Sequence, residues 1–350
     1  MDVVECPHCK ARVWPEERVS GTAANPTFSM CCCRGQVSLP KLPRCPPEQE
    51  AYWTGGTEAA QHFRKKARAY NSLLAFTSQG AKLELPCPGG PQVLRINGAV
   101  AHRLGPLIAN DGYEPSFAQL HIMDSDYALQ RRTEIMPGRD NNDSAVRPGI
   151  LSVFQNSLLQ HNPYVQRFQQ AGRPVAEQYA EQIQAAAEQG VPVPDNVPDV
   201  IFQLMEPIGA DPKADPRRYN LPTDQNEVAA FIPESVFSGP DTGVATERDI
   251  KVRLINGHLR RLPNTSPHLD PLRYPLLFPT GSPGWVLGMP LRPPGHIPLD
   301  QHEAYWHGKK RKTITMQQYE AYRLMSREGD PPQMFRGGRL FQEHLVDSYG

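Results

Sequence analysis

Residues 266–285 read Ser-Pro-His-Leu-Asp-Pro-Leu-Arg-Tyr-Pro-Leu-Leu-Phe-Pro-Thr-Gly-Ser-Pro-Gly-Trp. The apolar residues follow neither helical nor strand spacing, and prolines at 267, 271, 275, 279 and 283 forbid a continuous helix. Proline fixes its own φ and restricts the residue before it, so the stretch is expected to run as a stiff, extended path. Such a path presents Leu272, Tyr274, Leu276, Leu277, Phe278 and Trp285 for packing. It is expected to clamp the β-rich region that precedes it, and it carries no chemistry of its own.

The surrounding chain is neutral. Of 350 residues, 37 are Lys or Arg and 37 are Asp or Glu, so any nucleic-acid binding must come from local basic patches. The 37 prolines are about twice the usual share and argue for many irregular connections. No apolar run approaches membrane-spanning length, and the N-terminus lacks a basic segment followed by an apolar one. The expectation is a soluble, unsecreted protein with no membrane partner.

The expected fold class is α+β: a small N-terminal zinc-finger-like module, then a mixed helix and hairpin region with proline-rich connections. Residues 1–45 are the cysteine module, and 43–49 are a linker. A helix is expected from Thr57, its N-cap, to about Ser78, with Phe63, Ala67, Tyr70 and Leu74 on one apolar stripe. Asn97-Gly98 and Asn256-Gly257 each suit a type I′ turn, which predicts hairpins over 93–102 and 249–262. In the second, Ile250, Val252 and Leu254 alternate with Lys251 and Arg253, giving a buried face and a basic face.

Ala118–Met123 reads as a strand. Two helices follow, one over 148–171 with Leu151, Phe154 and Leu158 inward, and one from Pro174 to Gly190. Ile201–Met205 reads as a strand, and Asp224 with Glu227 as the cap of a short helix ending near Ile232. Residues 281–300 are Gly/Pro-rich and expected to be mobile. A last helix is expected from Thr315, running on to the end of the sequence.

Cys6-Pro-His-Cys9 has the spacing that lets two thiolates chelate one tetrahedral metal from a tight turn. Cys31, Cys32 and Cys33 supply candidates for the second pair, with Cys45 and His8 as alternates. The predicted ligand set is Cys6, Cys9, Cys31 and Cys32 around a structural zinc. Four protein ligands would close the site. Inert or redox-active thiols are the alternative. Trp14 and Phe28 are expected to pack around the site, with base stacking as the other role.

The strongest basic run is Lys309-Lys310-Arg311-Lys312, preceded by Tyr305, Trp306 and His307. Positive charge beside aromatic rings suits a single strand, since phosphates meet the lysines and bases stack. A solvated linker or a nuclear-import signal is the plainer alternative. Lys251, Arg253, Arg260 and Arg261 form the second candidate patch. Arg131, Arg132 and Arg139, and the cations of 64–68, read as surface charge. His268 and Asp270 read as a structural pair and not as metal ligands.

The proline-spaced block resembles one that recurs in Helitron rolling-circle transposases, which join a replication-initiator nuclease to a helicase. So do other stretches, in the same order: the Cys-x-x-Cys opening, 31–40, 69–78, 96–105, 117–124, 162–165, 218–223 and 338–347. The resemblance implies the N-terminal region of such a protein, divided as 1–45, 46–198, 199–285, a basic linker 286–313 and the start of an initiator-like domain at 314–350. It implies nuclear DNA transposition, with single-stranded transposon ends as partner and nuclease and helicase domains downstream. The family's nuclease holds its metal on two histidines flanking a hydrophobic residue, and no two of the eleven histidines here are two apart. No G-x-x-x-x-G-K-[ST] phosphate loop is present either. The chain is therefore expected to be non-catalytic. An inactive remnant, a protein-interaction module and a cryptic metal-dependent nuclease are the alternatives.

Overall fold

The computed structural model describes residues 3–84, 95–106, 108–109, 113–136, 146–189, 200–204, 229–233, 250–253, 260–262, 265–293, 305–307 and 312–349. It is an α+β protein. Two short ladders, β1 (Val4–Glu5) with β2 (Arg12–Val13) and β3 (Ser20–Gly21) with β4 (Pro26–Thr27), carry the cysteine region. Helices α1 (Pro47–Thr54), α2 (Glu58–Leu74), α3 (Ser125–Ile135), α4 (Pro148–His161) and α5 (Pro163–Gln189) follow, with strands β5 (Ser78–Glu84) and β6 (Arg95–Leu104) between α2 and α3. Then come β7 (Val200–Leu204), β8 (Ala229–Pro233), β9 (Ile250–Arg253) and β10 (Arg260–Leu262). The last elements are α6 (Leu269–Arg273), α7 (Met316–Leu324), α8 (Pro332–Phe335) and α9 (Arg339–Tyr349).

The α2 helix forms for the reasons its sequence gives. The Thr57 hydroxyl accepts from the Ala60 amide at 3.2 Å, and Phe63, Ala67, Tyr70 and Leu74 are all buried. Phe63 stacks on Phe154 of α4 with ring centroids 4.3 Å apart and meets Trp53 edge-on at 4.7 Å. The helix stops at Leu74, short of the expected Ser78. The Phe76 amide leaves the helical ladder and donates to the Leu272 carbonyl at 2.9 Å. A long-range partner therefore ends the helix, which propensity alone would not show.

That partner is the proline-spaced block, which is not an extended strap. It coils into α6 and successive turns, and every residue from Ser266 to Pro279 is buried except half-buried Asp270. Pro271 is tolerated because it lies in the first turn of a five-residue helix, where amides have no intrahelical acceptor. Prolines donate no backbone bond, so part of the block's buried backbone is served from outside it. Asn71 of α2 donates to the Arg273 carbonyl at 2.9 Å and accepts from the Leu276 amide at 3.3 Å, on either side of Pro275. The Gly284 amide closes on the Pro267 carbonyl at 2.8 Å, and a Cβ at Gly284 would lie 2.4 Å from an Asp270 oxygen.

Around the block sit Phe76, Leu151, Phe154, Leu158, Tyr164 and Phe168, with Met334 and Leu340 from the C-terminal helices. Each such side chain contributes about 1.5–3 kcal/mol by leaving water. The block also gathers buried polar groups. Tyr164 pairs with His268 at 2.7 Å, His344 with Asp270 at 3.2 Å and Arg273 with Glu343 at 2.5 Å, while Tyr274 donates to Asp347. Asp347 in turn faces His102 at 3.1 Å.

Several local expectations give way to distant partners. Asn97-Gly98 makes no turn; it lies inside β6, where the pairing jumps from Gly80↔Ala101 to Lys82↔Asn97. The permissive pair thus occupies a bulge instead of a hairpin tip. The strands expected for the second hairpin do not pair with each other among the described residues. β9 pairs with β7 in the sheet β8-β7-β9, whereas β10 pairs with β6 in the sheet β10-β6-β5, and residues 254–259 lie outside the described set. Residues 117–121 form a 3-10 turn and not a strand, because Ser116 and Gln119 cap it reciprocally.

The helix break expected at Pro174 falls at Asn162-Pro163, where the Asn162 side chain caps the amides of Tyr164 and Val165. Ala229–Pro233 is a strand, which overturns the short helix to Ile232; Asp224 and Glu227 lie outside the described residues. The final helix is divided: α7 opens on the Thr315–Gln318 capping box and ends at Leu324. Asp330 then accepts from the Arg327 amide at 2.7 Å, and Gly329 turns at φ 76°. The expected linker over 43–49 already starts α1 at Pro47.

Candidate metal centre

Two tight turns bring the cysteines together. In the first, the Lys10 amide donates to the Cys6 carbonyl and the Cys6 amide to the Ala11 carbonyl, both at 2.9 Å. In the second, the Val37 amide returns to the Cys32 carbonyl at 3.0 Å, and the Gly35 amide donates to the Cys32 sulfur at 3.2 Å. Lys10, Cys33 and Arg34 all take left-handed backbone conformations in these turns. Gly35 does so at φ 85°, with the His8 ring packed where a side chain would go.

The sulfurs of Cys6, Cys9, Cys31 and Cys32 lie within 4.8 Å of one another. Cys6 to Cys32 and Cys31 to Cys32 are each 3.8 Å, close to the edge of a tetrahedron of thiolates at about 2.3 Å from one ion. The set can hold a metal ion. The charge distribution suits one too. Hydrogen bonds from Cys31 and Cys32 hold Cys9 down to about 6, and Arg327 adds to this; the same two thiols lower Cys6. Cys31 is raised by Cys32, Cys6 and Cys9. Cys32, which Cys31 alone would lower, is raised by Cys6, Cys9 and burial. A cation would replace the protons that this pair retains.

The other thiols stand apart. Cys45 belongs to the main core, where burial pushes it up to about 12 and its amide donates to Gln333. The Cys33 sulfur accepts from the Gln318 side chain at 2.9 Å, and His8 is exposed. Phe28 is buried in the cysteine core, but Trp14 is 54% exposed and does not pack around the site. His268 and Asp270 turn to different partners, Tyr164 and His344. Among the described residues only the cysteine set brings three or more potential ligand atoms together.

Sequence reasoning missed what closes over this centre. Leu291, Ile314, Tyr319 and Tyr322 share its core, with Trp285, Met289, Trp306 and Met325 packed against them. Residues 285–293, expected to be mobile, are held there. The Trp285 indole donates to the Ile314 carbonyl at 3.0 Å, and the Arg292 amide to the Gln36 carbonyl at 2.8 Å. Arg327 is the fastener. Its guanidinium lies over the Tyr322 ring at 3.7 Å and reaches the carbonyls of Cys9, Tyr322 and Met325 and the Cys9 sulfur. Tyr319 and Tyr322, one turn apart and both buried, are the signal in the sequence that α7 needs such a partner.

The basic candidates are scattered. Lys309, Lys310 and Arg311 lie outside the described residues. Lys312 is exposed, and Trp306 is half-buried against the cysteine core. Lys251 and Arg253 stand on β9, Arg260 and Arg261 on β10, so two sheets divide what was expected to be one face. Arg132 is not surface charge: it is buried, donates to the Leu73 carbonyl at 2.9 Å and to Gln155, and burial lowers it to about 9. Arg64 caps the end of α1 through the carbonyls of Tyr52 and Gly55.

No helix among the described residues is long and apolar enough to cross a membrane. No family model matches this chain, and no curated protein matches it in sequence.

Proposed function

We propose that this chain is the non-catalytic N-terminal DNA-engaging region of a Helitron-type transposase, with a structural zinc and basic, aromatic segments that hold single-stranded transposon ends in the nucleus. What supports the family reading is the ordered set of resembling stretches, and how they meet. Residues 69–78, 96–105, 117–124, 162–165, 266–285 and 338–347 converge on one core. Asn71 bonds Arg273, Ala118 bonds Phe76, Tyr164 bonds His268, and Asp347 bonds both His102 and Tyr274. Segments that resemble one family in sequence thus depend on one another in space.

The four-cysteine group carries the zinc reading. An all-thiolate tetrahedral set suits zinc and leaves no position for substrate, so the ion would fasten the fold and do no chemistry. Metal analysis of the purified chain should find one zinc per molecule. Fluorescence anisotropy with a labelled oligonucleotide should show binding that weakens steeply with salt. Absence of binding at low salt would overturn the DNA role, and absence of metal would overturn the zinc.

A further inference from the structure

The cysteine turn and the basic segment before α7 are far apart in sequence, yet they share one surface centred on Gln36. The Gln36 carbonyl accepts from the Arg292 amide at 2.8 Å, and its side-chain amide donates to the Tyr305 hydroxyl at 3.4 Å. The Tyr305 ring meets Trp306 edge-on at 5.0 Å. Next to Arg292, the Leu291 amide donates to the Lys312 carbonyl at 2.9 Å, and Pro290 bridges Thr313. Three exposed cations are thereby gathered: Arg34, Arg292 and Lys312. None has a side-chain hydrogen bond or ion pair among the described residues. Residues 34–38, 290–293, 305–307 and 312–314 contain no Asp or Glu.

We infer that these segments form one composite face for single-stranded DNA, in which Arg34 and Arg292 join Lys312 on the phosphates beside the Tyr305–Trp306 pair. The inference rests on the DNA reading above and adds the surface, two further residues and a link to the metal. Exposed cations on segments that carry no acid attract a polyanion, and half-buried aromatic rings beside them offer a surface on which an unpaired base can stack. Arg34 is held at φ 58° in the turn that fastens Cys32, its amide bonded to the Phe28 carbonyl at 3.2 Å. The metal-binding turn therefore sets where this charge stands.

The test uses the metal-loaded full chain, a labelled oligothymidine and a salt titration. Arg34→Gly keeps the left-handed turn while removing the charge, and Arg292→Ala alters an exposed side chain, so both variants should fold. Each is expected to weaken binding at low salt and to lower the slope of log K against log salt by roughly 0.7, the double variant by roughly 1.4. Unlabelled duplex should compete poorly. Wild-type affinity and slope in the double variant, with binding lost in Lys309→Ala/Lys310→Ala/Lys312→Ala, would overturn the composite face and leave the DNA reading standing. No binding by the unaltered chain would overturn both. Equal competition by duplex would overturn the single-strand assignment.

Discussion

The two cores of this protein hold together in opposite ways. The main core is made of large side chains from α2, α4, α5 and the proline-spaced block, with Phe63 on Phe154 and Leu272, Leu276 and Leu277 buried at its centre. Its polar groups, Asn71 above all, serve backbone that cannot serve itself. The cysteine core is built from two-residue strands, four clustered sulfurs and a covering that includes Trp285, Leu291, Trp306, Ile314, Tyr319 and Tyr322. The first buries many large apolar side chains. The second has little regular structure, and a metal held by the four sulfurs would add the cross-link that Arg327 begins.

The largest effect should come from breaking the second core at its sulfurs. Cys31→Ser, or removal of metal with a chelator, is expected to abolish metal retention and to expose the amides of residues 4–37 to hydrogen exchange. The amides of α2 should remain protected. Equal loss of protection in α2 would erase the distinction between the cores.

The reverse experiment is Asn71→Ala. It leaves the Arg273 carbonyl and the Leu276 amide buried without partners and should cost about 3 kcal/mol in denaturant unfolding. The metal content should not change.

A subtler probe lies at the seam between the α7 helix and the block. Glu320 is buried near Asp270, and burial, then the Asp270 charge, raises its carboxyl to about 7 from an ordinary 4.5. Between those values the folded chain holds a proton that the unfolded chain releases. This contribution to stability is therefore complete below about pH 4.5 and is lost as pH rises through 7. Glu320→Gln should flatten that slope and be more stable than the parent by about 2 kcal/mol at pH 8, read from thermal melts at both ends of the window. The smallest change expected is in Thr315→Ala, which removes the α7 cap for about 1 kcal/mol.

How far the sequence could be read follows the same division. The α2 stripe, the Thr57 and Thr315 caps and the Cys6–Cys9 pair are local signals, written within one or two turns of chain, and the structure uses each of them. Misreadings came where a local signal met a distant competitor. Two Asn-Gly pairs have ideal hairpin chemistry. Yet β6 runs through the first to reach β5 and β10, and the strands around the second go to different sheets. Pro174 looked like a helix start, but Asn162-Pro163 had the side-chain cap. Arg132 looked like surface charge, and Arg327 drew no reading, because nothing nearby announces the buried carbonyls they serve. The prolines of 266–285 do exclude a long helix, but not the short turns between them.

The Asn71 bonds span 202 and 205 positions of chain. Such contacts have a consequence for synthesis. While the first 265 residues emerge from a ribosome, the apolar stripe of α2 has helices to meet but lacks the block that fills the middle of its core. The nascent chain would carry that unfinished surface until the C-terminal helices were also out, and it would depend on holding chaperones in the interval.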